Sequence, residues 1–91
     1  MTATPATGVW RPRRAPAVVL RHDGIRGKDV LLMPERVVVL EGSAGAVLEL
    51  CDGTRTVADI VGALRARFPA APVDAEVGPF MERLRKEGWI R

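Results

Sequence analysis

The chain has no tyrosine, and its aromatic residues are only Trp10, Phe68, Phe80 and Trp89. Surfaces on which successive nucleic-acid bases could stack are therefore scarce. Cys51 is the one cysteine, so no intramolecular disulfide can form and a reducing compartment is the default expectation. His22 is the one histidine. A zinc site needs three or four ligands from Cys, His and carboxylates, and no such cluster is spaced here. Nor can a Ser-His-Asp or Cys-His set be drawn without His22. No apolar run approaches the ~18–20 residues that span a bilayer. Met1 to Gly8 lacks a charged segment followed by an apolar one, so it does not read as a secretory signal. These absences predict a cytoplasmic, non-catalytic protein with no membrane association, bound metal or cofactor.

What is present fits one small domain with a thin core. The chain has 91 residues, of which 47% are apolar, and a domain of this size buries a modest share of its surface. The net charge of +3 suggests a nucleic-acid footprint, but its distribution does not. Arg11, Arg13 and Arg14 carry the whole excess; from Ala17 onward Lys/Arg and Asp/Glu are equal in number. The body is neutral and the tail is basic.

Residues 1–16 have no helical or strand period and read as a flexible arm, with 17–91 as the folded domain. Trp10 is expected to dock loosely on that domain. Strands are expected over 17–22, 28–33 and 36–40, with Asp23-Gly24 and Gly27 in the first turn and Pro34-Glu35 in the second. Ser43 is the expected N-cap of a first helix whose apolar face is Ala44, Val47, Leu48 and Cys51, with Gly53 ending the turn. Cys51 on that face reads as a small buried hydrophobe. Thr56 and Asp59 resemble a capping box ahead of Val57, Ile60, Val61, Leu64 and Phe68, and Pro69 stops that helix. A third helix starts near Pro72, with a stripe of Val73, Val77, Phe80, Met81 and Leu84. Asp74 and Glu76 suit its positive N-terminal end. Pro79 should kink it or delay its start. Gly88 is the expected C-cap, with Trp89-Ile90 folding back. Three antiparallel strands followed by three helices make an α+β fold, and a winged helix-turn-helix with its sheet placed first fits that order.

The third strand has an anomaly. Val37 to Leu40 is continuously apolar, whereas a strand with one face in water should alternate. Helices in so small a chain can cover one face only. The other awaits the arm, another copy or a ligand.

Several segments resemble the PqqD family of pyrroloquinoline quinone (PQQ) biosynthesis. They are Val30-Leu31-Leu32-Met33-Pro34-Glu35-Arg36, Leu40, Ser43 to Gly53, Arg55 to Val61, Phe80, Leu84 and Gly88-Trp89-Ile90. The resemblance runs over about residues 16 to 90. The chain departs from it at Met33, where an aromatic is common, at Glu41, where Asn is common nearby, and at Gly78-Pro79, where the helix is usually uninterrupted. The resemblance implies a non-catalytic peptide chaperone. Such a protein binds the precursor peptide PqqA and presents it to the radical S-adenosylmethionine enzyme PqqE. Related domains serve as leader-peptide recognition elements in other pathways of ribosomally made, modified peptides (RiPPs). It further implies that the peptide adds a strand beside the third strand, against the third helix. On this chain that groove has Arg36, Val37, Val38, Val39 and Leu40 on one wall. Val77, Phe80, Met81, Leu84 and Arg85 form the other.

Two other readings compete. A winged-helix nucleic-acid binder would need a basic recognition helix, and neither the second nor the third helix has one. A self-associating module would pair copies through the third strand's edge. The expected state is a monomer or a weak homodimer, with no nucleic-acid partner.

Overall fold

The computed structural model describes residues 9–91. Its elements are β1 (Val19–Asp23), β2 (Lys28–Met33), β3 (Arg36–Leu40), α1 (Ala44–Leu50), α2 (Val57–Arg67) and α3 (Val73–Lys86). The strands form one antiparallel sheet in the order β1-β2-β3, as expected.

Turn chemistry sets the register. The Asp23 carboxylate accepts from the backbone N–H groups of Ile25 and Arg26 at 3.1 and 3.2 Å. Gly27 takes the positive φ of 68° that closes the first turn. Pro34 and Glu35 form a two-residue link, so Met33 pairs with Arg36 and Asp29 with Leu40. Side chains directly opposite share a face. Leu20, Leu31 and Val38 therefore lie on one face, and Val19, Leu32 and Val37 on the other. The first strand starts later than the expected residue 17, because Pro16 and Ala17 form a turn in which Val18 donates its N–H to the Ala15 carbonyl.

The helices cover the face carrying Leu31. Leu31, Leu40, Val47, Leu48, Cys51, Ile60, Leu64, Val77, Met81, Leu84 and Ile90 are all buried in one cluster. Ser43 occupies the N-cap position of α1, but its side chain makes no capping bond. Gly45 packs α1 directly on β2; a Cβ there would overlap the Asp29 side chain. The Thr56–Asp59 capping box forms as expected. The Thr56 hydroxyl accepts from the Asp59 N–H and the Asp59 carboxylate accepts from the Thr56 N–H, each at 3.1 Å. That backbone donation holds the Asp59 carboxyl below its ordinary pKa. At its end α3 makes a Schellman closure. Gly88 has φ 80°, and the N–H groups of Gly88 and Trp89 reach the carbonyls of Arg85 and Leu84.

Two expectations change. First, of the two effects expected of Pro79, the delayed start does not occur: α3 runs from Val73 to Lys86 with Pro79 inside it. Pro79 has no N–H for the Ala75 carbonyl. Both residues are exposed, and one missing ladder bond at the surface is tolerated. Second, residues 12–15, expected in a flexible arm, are built into the body. Arg13 exchanges backbone hydrogen bonds with Arg91 at 2.9 and 2.8 Å, Ala15 donates to Trp89, Arg14 donates to Cys51, and Gly53 donates to Pro12. Isolated antiparallel bridges tie the segment on both sides, Arg13 to Asp52 after α1 and Arg14 to Ile90 after α3. The Arg14 guanidinium also donates to the Leu48 carbonyl at 2.5 Å, satisfying an acceptor at the end of α1. The expected arm's first eight residues lie outside the described ones.

Candidate functional site

Among the described residues the outer face of β3 stays uncovered at Val37, so the anomaly in β3 persists there. Leu40 is buried and Val38 half-buried on the helix side, while Val37 is 62% and Val39 38% exposed on the other. β3 is also an edge strand, bonded to β2 on one side only. Its outer row of N–H and C=O groups has no partner strand among the described residues. Such an edge is a template for another strand.

A cleft of about 580 Å³ opens where β3 ends, a volume within the range of ligand pockets. Glu41, Gly42, Ser43, Ala44 and Val47 form one wall; Val73, Glu76, Val77, Pro79, Phe80 and Arg83 form the other. The apolar floor is thus flanked by charges near the edge of β3. At the opposite end of the strand the Arg36 guanidinium lies 5.0 Å from the Trp89 ring centroid. The start of β3 is therefore beside the end of α3, and the end of β3 beside the first half of α3. Strand and helix run in opposite directions, and the cleft lies just past the last residue of β3, between the Glu41–Ala44 segment and α3.

The ten residues expected in a groove separate into three sets. Arg36 to Leu40, with Val77 and Phe80, sit on β3 or in the cleft. Met81 and Leu84 are 1% and 3% exposed and belong to the core rather than to an open surface. Arg85 is exposed but turned to the other flank of α3, with its guanidinium 4.5 Å from the Trp10 ring centroid. Arg83 takes the cleft position instead, over Phe80 at 5.6 Å. A helix turns about 100° per residue, so Arg83 and Arg85 face nearly opposite ways. Periodicity located the buried stripe but not which of its flanks faces β3. Ser43, Ala44 and Glu76 were missed as cleft residues because their local roles in α1 and α3 accounted for them.

Chemistry elsewhere is sparse. Cys51 is fully buried, and burial pushes its thiol up to about 11 against a small lowering by Arg14. It stays protonated at neutral pH and is a poor nucleophile. His22 Nδ1 is 2.8 Å from an Asp29 carboxylate oxygen on the surface. No group of three or more His, Cys, Asp or Glu among the described residues is placed to hold a metal ion. No helix among them is long and apolar enough to cross a membrane.

Residues 29–90 match the family model described as coenzyme PQQ synthesis protein D (PqqD). The "PqqA binding protein" of Pseudomonas aeruginosa is 50% identical over 62 residues, covering 67% of each chain. That of Methylococcus capsulatus is 31% identical over 77 residues, 85% of this chain and 83% of its own. Among solved structures, the NMR structure of the PqqD truncation of Methylobacterium extorquens PqqCD is 37% identical, with a TM-score of 0.72. The match covers 99% of this chain and 96% of that one. That truncation is described as a functional, stand-alone RiPP recognition element. The crystal structure of PqqD from Xanthomonas campestris is 35% identical, with a TM-score of 0.55 over 85% of this chain and 88% of that one. With matching residues spanning β2 to Ile90 and the same strand-then-helix order, the chain belongs to the PqqD family of PQQ synthesis proteins.

Proposed function

We propose that this chain is a non-catalytic carrier of a PqqA-type precursor peptide, which it presents to a radical S-adenosylmethionine enzyme of the PqqE kind in the cytoplasm. The observation that carries the reading is the unpartnered outer edge of β3, which leads at Leu40 into a cleft between the Glu41–Ala44 segment and α3. A peptide strand pairing with that edge gains main-chain hydrogen bonds with little sequence preference, and its alternate side chains enter the cleft. Val77 and Phe80 form the apolar contact on α3, and Val38 lies on the helix side of the strand. The bare valines on the other face, Val37 and Val39, would gain cover from the peptide's outward side chains. Relatives bearing the name PqqA binding protein support this choice of ligand. Burying two apolar side chains contributes on the order of 3–6 kcal/mol before ordering costs, which fits micromolar to sub-micromolar binding.

The test is titration calorimetry with the PqqA peptide of Pseudomonas aeruginosa, using wild type and Phe80→Asp, with circular dichroism to establish that the variant folds. Wild type binds at micromolar or tighter, and folded Phe80→Asp loses at least tenfold. A wild type that binds no PqqA peptide removes the reading.

A further inference from the structure

We infer that the groove reads the order of charges along its peptide: an acidic side chain at its Arg83 end and a basic one at its Glu76 end. The inference rests on the peptide-binding reading above and concerns the same groove.

Four observations on the molecule carry it. The first is direction. With Arg36 against Trp89 and Glu41 in the cleft beside Val77, β3 and α3 run oppositely, so later residues of α3 lie toward the start of β3. The second is sign. Arg83 and Glu76 both line the cleft, two turns apart. Seven residues of helix rise about 10 Å, the reach of a strand segment of two to four residues.

The third is availability. Asp74 is paired with Arg65, and Glu41 with Lys28. Glu76 and Arg83 form no ion pair among the described residues; Arg83 only lies over the Phe80 ring. The fourth is the Pro79 substitution in the helical ladder. Pro79 and Ala75 both line the cleft, and proline has no N–H to give the Ala75 carbonyl. That carbonyl is an acceptor beside Glu76, suited to the donors of a Lys or Arg side chain. An edge strand alone binds peptides in many registers and in either direction. Opposite charges at the two ends of the cleft penalise the wrong register by placing like charges together.

The experiment uses the full chain and a fluorescein-labelled PqqA peptide of Pseudomonas aeruginosa, followed by anisotropy. A peptide panel replaces each Asp or Glu by its amide, and each Lys or Arg by Met, one at a time. Arg83→Met is expected to weaken the unmodified peptide five- to twentyfold, with no further loss for one particular acid-neutralised peptide. Glu76→Gln behaves the same way toward one base-neutralised peptide. Circular dichroism melts superimposable on wild type establish that both exposed substitutions leave the fold intact. Raising salt weakens wild type more than either variant. If wild type binds and both variants bind the unmodified peptide equally well, the charge order is refuted while peptide binding stands. Equal losses across the whole panel, with no peptide singled out, also refute it. A wild type that does not bind refutes both.

Discussion

Residues 12–15 carry a quantitative prediction, because their pairing is visible and their removal is simple. Truncation to Pro16 deletes this bridged segment. The backbone hydrogen bonds joining residues 12–15 to Cys51, Gly53, Trp89 and Arg91 are lost, at about 1 kcal/mol net each. Pro12 and Ala15 are buried, as are Cys51 and Ile90 to which the segment is paired. Uncovering on the order of 150 Å² of apolar surface adds about 4 kcal/mol. The segment's regained freedom offsets about 6 kcal/mol at 1–2 kcal/mol per residue. Roughly 3 kcal/mol of net destabilisation remains, a large share of the margin of a small domain. A loss of that size lowers Tm by about 12–24 °C in a domain of this length. Truncation to Val9 keeps every one of these bonds. Thermal melts of the two truncations beside the full chain decide the matter. If removal of residues 1–15 shifts Tm by less than a few degrees, the segment is an ornament on the fold and its bonds contribute nothing net.

Other consequences can be checked with the same instruments. Gly88→Ala places a Cβ at φ 80° and should cost about 1 kcal/mol, read as a lower urea midpoint with unchanged slope; an unaltered midpoint would show that the Schellman closure does not depend on glycine. Cys51 supplies an alkaline limb. Its folded pKa is raised from 9.0 to about 11, so the unfolded chain loses its proton first. The thiol has no effect below pH 9 and removes up to about 2–3 kcal/mol of stability by pH 11. Cys51→Ala lowers stability at pH 7 by opening a cavity, but flattens the slope between pH 9 and 11; an unchanged slope would contradict burial as the cause.

Much of this architecture is legible in the residues because local chemistry dictates it. Pro34-Glu35 between two apolar runs fixes the β2–β3 register, and Thr56 with Asp59 fixes the start of α2. Gly88 fixes the end of α3. What the residues do not disclose depends on the third dimension. Residues 12–15 pair through main-chain groups, which leave no pattern in side-chain identity, so a segment without apolar period looks free. Helical spacing groups Val77, Phe80, Met81 and Leu84 on one stripe but does not divide that stripe between core and cleft. The folded core does so, enclosing Met81 and Leu84 and leaving Phe80 and Arg83 at the cleft. The unbroken apolar run of β3 is the sequence signal that singled out this strand, since burial of one face left Val37 and Val39 without an internal reason.

The central claim is that a peptide becomes the next strand beside β3. Amide hydrogen exchange, followed residue by residue by NMR with and without the PqqA peptide of Pseudomonas aeruginosa, tests it most directly. The β3 amides between Arg36 and Leu40 that are not bonded to β2 exchange freely in the unliganded chain. On binding they should slow by at least tenfold in an alternating pattern, while the outer edge of β1 is unchanged. Peptide binding that leaves those β3 amides exchanging as before would contradict strand addition and move the site elsewhere.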